Sequence, residues 1–210
     1  MPYADVLAQQ ERLLAERAQG SVGDTLLLLE HDPVITLGRA GKLEHVLATP
    51  QHLAAAGIEV FETGRGGDVT YHGPGQLVAY PIVDLKPDRC DVRRYVRDLE
   101  EVMLRTASDY DLNAQRRTGL NGAWIKERKL GSVGVRISRW VTMHGIALNV
   151  NTHLEDFSHI VPCGITACQM TSLARETGHA VPLEEVMAHF VHHFADVFDA
   201  HAVAETKGAL

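Results

Sequence analysis

The sequence predicts an α+β fold, a mixed, largely antiparallel β-sheet flanked by helices, and three observations carry that expectation. Helical periodicity marks the beginning, the middle and the end of the chain, while strand-like runs are grouped between those segments. From Asn121 to Asn151 three strand signals follow one another across turn-sized polar links, the pattern of an antiparallel meander. With 210 residues, 45% of them hydrophobic, the chain suits one compact domain, 1–210, with a sizeable core and little room for a second.

In chain order, Tyr3, Val6, Leu7, Gln10, Leu13 and Leu14 keep helical spacing, which predicts an amphipathic helix packed on a sheet and ended by Gly20 and Gly23. Thr25 to Leu29 and Val34 to Leu37 are apolar runs of buried-strand length, expected as two strands joined by a tight turn at Glu30-His31-Asp32-Pro33. Thr49 as N-cap, Pro50 at the first helical position and Gly57 beyond the end frame a short helix, and Ile58 to Phe61 follows as a strand. Leu77 to Leu85 is strand-like. Asp91 caps a helix whose apolar positions Val92, Tyr95, Val96, Leu99, Val102, Met103 and Thr106 recur at i, i+3, i+4 and i+7. Its other face carries Arg93, Arg94 and Arg97, with Arg89 just before it, which reads as a solvated face. The meander strands are Ala123 to Ile125, Leu130 to Ile137 and Trp140 to Val150. Thr152 to Thr166 reads as loop, Thr171 as the cap of a short helix ending near Gly178, and Pro182 to Phe198 as a last helix with Val186, Phe190, Val191, Phe194 and Val197 inward.

Composition narrows the function. The formal net charge of −7 argues against a general nucleic-acid binder, whose phosphate contacts need a basic surface. No apolar run is long enough to span a bilayer, and the charged first segment is neither a signal peptide nor a transit peptide. Cys90, Cys163 and Cys168 form an odd set without a CxxC pair, which suggests neither a disulfide framework nor a zinc site and fits a reducing, cytoplasmic setting. Gly64-Arg65-Gly66-Gly67-Asp68-Val69 begins like a dinucleotide fingerprint, but Val69 stands where the third glycine belongs and a strand follows instead of a helix. No Walker A sequence occurs. His189 and His193 stand at i, i+4 on the last helix without the acid of an HExxH arrangement, so they read as helix-surface histidines and no metal is expected.

Three segments carry candidate chemistry. In Arg65-Gly66-Gly67-Asp68-Val69-Thr70-Tyr71-His72-Gly73-Pro74-Gly75-Gln76 the glycines permit close backbone approach beside an arginine and a histidine, around a short strand. A glycine-rich hairpin without a ligand is the plainer account. Lys129 opens Lys129-Leu130-Gly131-Ser132-Val133-Gly134-Val135-Arg136, where glycines again invite something to approach the backbone; a lysine at a strand end is otherwise usually solvated. Met143-His144-Gly145-Ile146-Ala147 offers small residues where a flexible apolar chain fits. Pro162-Cys163-Gly164 holds a cysteine in a non-helical loop, as a nucleophile would be displayed, although a buried structural cysteine is the commoner fate.

Together, in this order, these segments resemble the octanoyl-acyl-carrier-protein:protein N-octanoyltransferase family, within the biotin/lipoate-protein-ligase fold superfamily, over most of the chain. The resemblance implies a biotin/lipoate-protein-ligase-like catalytic domain. It implies Cys163 as the acyl-accepting nucleophile, Lys129 as the cation that lowers its pKa, and Arg65 to His72, Ser132, Val133, Gly134, Gly145, Ile146 and Ala147 as the walls of the acyl site. Lys129, His72 and His144 are alternative acceptors for the proton of the incoming amine. The donor would be octanoyl-acyl carrier protein. The acceptors would be the lipoyl domains of 2-oxoacid dehydrogenase complexes and the glycine cleavage H protein, with no cofactor, no metal, no nucleic acid and no membrane. Two rival readings are an ATP-dependent lipoate or biotin protein ligase, which has no use for a nucleophilic cysteine, and a non-enzymatic carrier-docking module using Arg89, Arg93, Arg94 and Arg97.

Overall fold

The structure, a computed structural model, describes residues 1–162 and 168–203. Helix α1 (Tyr3–Ala18) buries Tyr3, Val6, Gln10 and Leu13, the spacing its sequence predicts, with one polar residue inside the stripe. Strands β1 (Thr25–Leu29) and β2 (Val34–Leu37) form where expected, yet they do not pair: each joins a different sheet. The link between them is pinned inward instead of turning back. His31 is buried, with Nδ1 3.1 Å from Met1 O and Nε2 2.8 Å from the Tyr80 hydroxyl, and Glu30 Oε1 accepts from Gly75 N at 2.5 Å.

Helix α2 (Pro50–Ala55) has the expected cap, Thr49 accepting from His52 N at 3.2 Å. Strands β3 (Glu59–Glu62), β4 (Val69–His72) and β5 (Gln76–Ile82) follow. Helix α3 (Val92–Ser108) starts at Asp91, whose Oδ1 accepts from Arg93 N and Arg94 N at 2.8 and 3.1 Å. Its apolar stripe is buried as predicted except at Val92, which is 46% exposed, and Val96, which is half-buried. The meander begins one strand earlier than expected, with β6 (Gln115–Arg117), β7 (Leu120–Ile125), β8 (Arg128–Ser138) and β9 (Val141–Asn149). A two-residue strand β10 (Gln169–Met170), too short to leave a pattern in the sequence, precedes α4 (Leu173–Thr177). The cap of α4 is Ser172, one residue later than Thr171, and the helix ends at the left-handed Gly178. Helix α5 (Leu183–Phe198) closes the described fold.

The main sheet has the order β1-β5-β9-β8-β7-β6, all antiparallel, with β10 added parallel to β8. The smaller sheet has the order β3-β2-β4, with β2 parallel to β3 and antiparallel to β4. The fold is therefore mixed and mostly antiparallel. Leu99 and Met103 of α3 and Phe190 of α5 pack with Leu77, Leu130 and Leu148 on one face of the main sheet. Val6 and Leu13 of α1 pack with Val78 and Ile82 on the other. Covered on both sides, β5 is buried along its whole length, as fully buried strands require near-continuous apolar sequence. A separate cluster around Ile35, Leu53, Val69, Tyr71 and Phe157 holds the small sheet together.

The two sheets meet at residues 65–68. Gly66 N donates to Val135 O of β8 at 2.8 Å, while Arg39 N donates to Arg65 O at 2.9 Å and Gly38 N to Asp68 O at 3.0 Å. A Cβ on Gly134 would lie 3.0 Å from Gly66 O and 3.2 Å from Arg65 Cδ, so a side chain there would push the loop off the strand. No described helix is long and apolar enough to cross a membrane.

Candidate active site

A cavity of about 500 Å3 lies at this junction, lined by β4 with residues 65–68, by residues of β8, β9 and β5, and by the first turns of α3. It gathers the separated segments. Arg65 to Thr70 and His72 line it from one side, Ser132, Val133 and Gly134 with Gly145, Ile146 and Ala147 from the other, together with Lys129 and His144. Gly134 and Gly145 are register partners in neighbouring strands, which leaves a stretch of sheet without side chains as the cavity floor. Between Arg65 and His72, Tyr71 is the residue that does not line it. Its hydroxyl donates to Asp156 Oδ2 at 2.8 Å and its ring meets Phe157 edge-on at 5.5 Å, so it belongs to the core of the small sheet. Cys163 lies outside the described residues.

Sequence reasoning missed Tyr3, Tyr80 and Val135, and at the other end Val92, Val96, Gly119, Leu120 and Asn121. Tyr3 and Val92 sat in helical stripes and read as packing positions. The one readable hint was Gln10, a polar residue in an apolar stripe: its Oε1 accepts from His144 N at 2.8 Å and holds His144 at φ 56°, in the left-handed region.

Exposure divides the cavity into a mouth and a closed end. Val92, Gly67, Gly119 and Asn121 are exposed at the mouth, whereas Tyr3, Tyr80, His72 and His144 are buried to 6% exposure or less at the closed end. Tyr3 leans on His31 and Phe61, both with ring centroids at 5.1 Å, and Tyr80 is hydrogen-bonded to His31. His72 Nδ1 is 2.7 Å from Gln76 Oε1, and Gln76 Nε2 donates to Asn149 Oδ1 at 2.9 Å and to Tyr71 O at 3.2 Å. Arg65 is clamped to the small sheet: Nη2 donates to Thr36 O at 2.6 Å and to Thr36 Oγ1 at 2.9 Å.

This buried set is held uncharged except for Arg65. Desolvation pushes the His72 imidazole down to about 3, helped by His31, Arg65 and His144 nearby. Desolvation, with Arg65 and Arg136 adding to it, takes His144 down to about 4, and burial takes His31 to about 4 as well. Burial lifts the Tyr3 phenol to about 12. Neutral imidazoles with such low proton affinity make poor general bases near pH 7, where an effective base titrates close to the working pH.

Lys129 is 3% exposed, and its Nζ stands 5.3 Å from the centroid of the Trp124 ring. It is not at a frayed strand end. Its strand pairs with β7 at Trp124 on one side and with β10 at Met170 on the other, and Thr171 N donates to Lys129 O at 2.9 Å. Beneath it Glu100, buried in α3, accepts from Gly122 N at 2.8 Å and from Arg116 Nε at 3.2 Å, which fixes helix to hairpin. On α5, His189 Nδ1 and His193 Nε2 each stand 2.8 Å from Asp109 Oδ2, an acid supplied by the end of α3 and invisible to a local motif search.

The family described as the lipoyl protein ligase A/B catalytic domain matches residues 2–195. An octanoyltransferase of Solibacter usitatus is 54% identical over 94% of this chain and 89% of its own length. An octanoyltransferase of Syntrophotalea carbinolica is 49% identical over 92% of this chain and 89% of its own. Among solved structures, lipoate-protein ligase A bound with ATP superposes with a TM-score of 0.74 over 93% of this chain and 83% of that one, at 16% identity, a likeness of fold.

Proposed function

The chain belongs to the lipoyl protein ligase A/B catalytic-domain family, and from that premise we propose that it is an octanoyltransferase, moving an octanoyl group from acyl carrier protein through a thioester on Cys163 to the target lysine of a lipoyl domain. The observation that carries the reading is Lys129, a buried lysine in the wall of a cavity whose floor is glycine. The acceptors would be lipoyl domains of 2-oxoacid dehydrogenase complexes and the glycine cleavage H protein, in a reducing, cytoplasmic setting that keeps the thiol free.

A thiol with pKa about 8.5 is only a few per cent thiolate at pH 7, and reaching half-ionisation takes roughly 2 kcal/mol. An ammonium about 4 Å away, at an effective dielectric near 20, supplies roughly 4 kcal/mol before its desolvation is subtracted. One lysine suffices. The Cys163 thiolate attacks the octanoyl carbonyl, a new C–S bond forms, and the carrier thiolate leaves and takes a proton from Lys129. The neutral Lys129 amine then accepts the proton that the acceptor lysine gives up as its nitrogen displaces Cys163, which returns the enzyme to its starting charge. The low proton affinity of His72 and His144 favours Lys129 for this step over either imidazole. In support of the pairing, β10, which follows Cys163 closely in sequence, is hydrogen-bonded alongside Lys129.

The ATP-dependent ligase reading is the weaker one, since relatives about half identical are octanoyltransferases while the ligase likeness is one of fold. Incubation with octanoyl-carrier protein should add one octanoyl group to the protein by intact mass, and Cys163→Ser should abolish the adduct. An adduct that survives in Cys163→Ser overturns the assignment.

A further inference from the structure

The mouth of the cavity has a chemistry of its own. Val92 and Val96 line it from successive turns of α3, and Val92 is an apolar side chain left 46% exposed. The residue after each of them is an arginine, so Arg93 and Arg97 form a second stripe, one above the other at i, i+4, directly beside the valines. The neighbouring arginines are occupied. Arg89 Nη1 and Arg94 Nε stand 3.0 and 3.9 Å from Asp98 Oδ2, Arg105 Nε stands 3.0 Å from Glu101, and Arg116 meets Glu100 and Glu101 at 3.2 and 2.8 Å. Arg93 and Arg97 are exposed and meet no carboxylate among the described residues. The Arg97 carbonyl accepts from Arg116 Nη2 at 2.8 Å, which ties this turn of α3 to β6. The Asp91 carboxylate at the helix start is spent on its cap.

On a chain with net charge −7, two unneutralised arginines beside an exposed apolar rim suit an anionic partner whose attached chain enters the cavity. Resting on the octanoyl-transfer reading, we propose that the first two turns of α3 are the docking face for the acyl donor's carrier protein. Its acyl group hangs from a long thioester arm with a phosphodiester at the base. With the acyl chain inside the cavity and the thioester at Lys129, the arm trails out over Val92 and Val96, and its phosphate and the carboxylates of an acidic carrier meet Arg93 and Arg97. The acceptor lysine reaches the same thioester on a far shorter side chain with no phosphate and has no need of that stripe.

The test compares two donors in single turnover, octanoyl-carrier protein and octanoyl-pantetheine, which has the thioester arm without phosphate or protein. In Arg93→Glu/Arg97→Glu, acylation by the carrier should fall by at least about tenfold in kcat/KM through a raised KM, while acylation by octanoyl-pantetheine and transfer from the acyl-enzyme to a lipoyl domain persist. Raising ionic strength from about 0.05 to about 0.5 M should slow the wild-type reaction with the carrier and leave that of the variant nearly flat. Unchanged acylation by the carrier overturns the proposal. So does a loss shared equally by both donors, which is damage to the cavity, or a loss confined to the lipoyl domain, which assigns the face to the acceptor. Wild-type acylation by octanoyl-pantetheine tests the octanoyl-transfer reading separately, and carrier binding to Cys163→Ser, with and without the two charge reversals, tests the docking face without chemistry.

Discussion

Lowering the pH from 7 to 5 should take about 5 kcal/mol from the stability of this fold, because three buried histidines at the closed end of the cavity must stay neutral. Each titrates near 6.5 in an unfolded chain, but in the fold His31 and His144 are held at about 4 and His72 at about 3. Below 6.5 the unfolded chain therefore binds more protons than the folded one, and unfolding is increasingly favoured as pH falls towards the folded values. Over this window each histidine contributes about 1.8 kcal/mol. The total is a large part of the roughly 5–15 kcal/mol typical of a folded domain. Asp98, whose carboxyl is raised by desolvation, works in the opposite direction, while Glu101 and Glu176, lowered by Arg116 and Arg128, act below the window. Urea unfolding at both pH values measures the effect directly. His31→Gln removes one titrating group and should remove about a third of the difference. Equal stability at pH 7 and 5, or an undiminished difference in His31→Gln, refutes the reasoning.

Two substitutions probe the walls of the cavity. Gly145→Ala places a Cβ 2.3 Å from Ala79 O and 2.7 Å from Pro81 Cδ, neither of which can swing away, and should lower stability by about 2 kcal/mol and Tm by about 6 °C in a thermal melt; an unchanged Tm shows that β5 and β9 separate at little cost. Tyr3→Leu shortens the end wall, so a decanoyl thioester should gain about tenfold over octanoyl in kcat/KM, since each buried methylene is worth about 0.8 kcal/mol; an unchanged ratio places the end wall elsewhere.

Helix α3 was legible because every signal for it is local: Asp91 caps it and the apolar rhythm spans four turns. Helix α2, from Thr49 and Pro50, was legible for the same reason. Most strand positions were legible too, β6 and β10 excepted, and so was the antiparallel pairing of the meander, but the partners of the earlier strands were not. Nothing in the run from Thr25 to Leu37 shows that a buried histidine in its middle sends the second half to another sheet, because that depends on Tyr80 and Met1. The glycine-bearing segments stood out because close backbone approach excludes side chains whatever the partner. Lys129 was ambiguous alone, because β10, the two-residue strand that pairs beside it, lies some forty positions further along the chain. Tyr3 and Val92 occupied regular stripe positions, where a residue lining a cavity and one filling a core look alike.

The place of the cavity between two separately packed sheets has a dynamic consequence. The small sheet has its own apolar cluster and reaches β8 through the backbone of residues 65–68, so it can loosen locally without melting the main sheet. On the octanoyl-transfer reading, a bound acyl chain would touch both halves and act as mortar between them. Amide hydrogens of β4 should therefore exchange more slowly in the acyl-enzyme than in the free protein, while those of α3 and α5 hardly change, and the breathing of the small sheet would set how readily a long acyl chain enters and how long it stays.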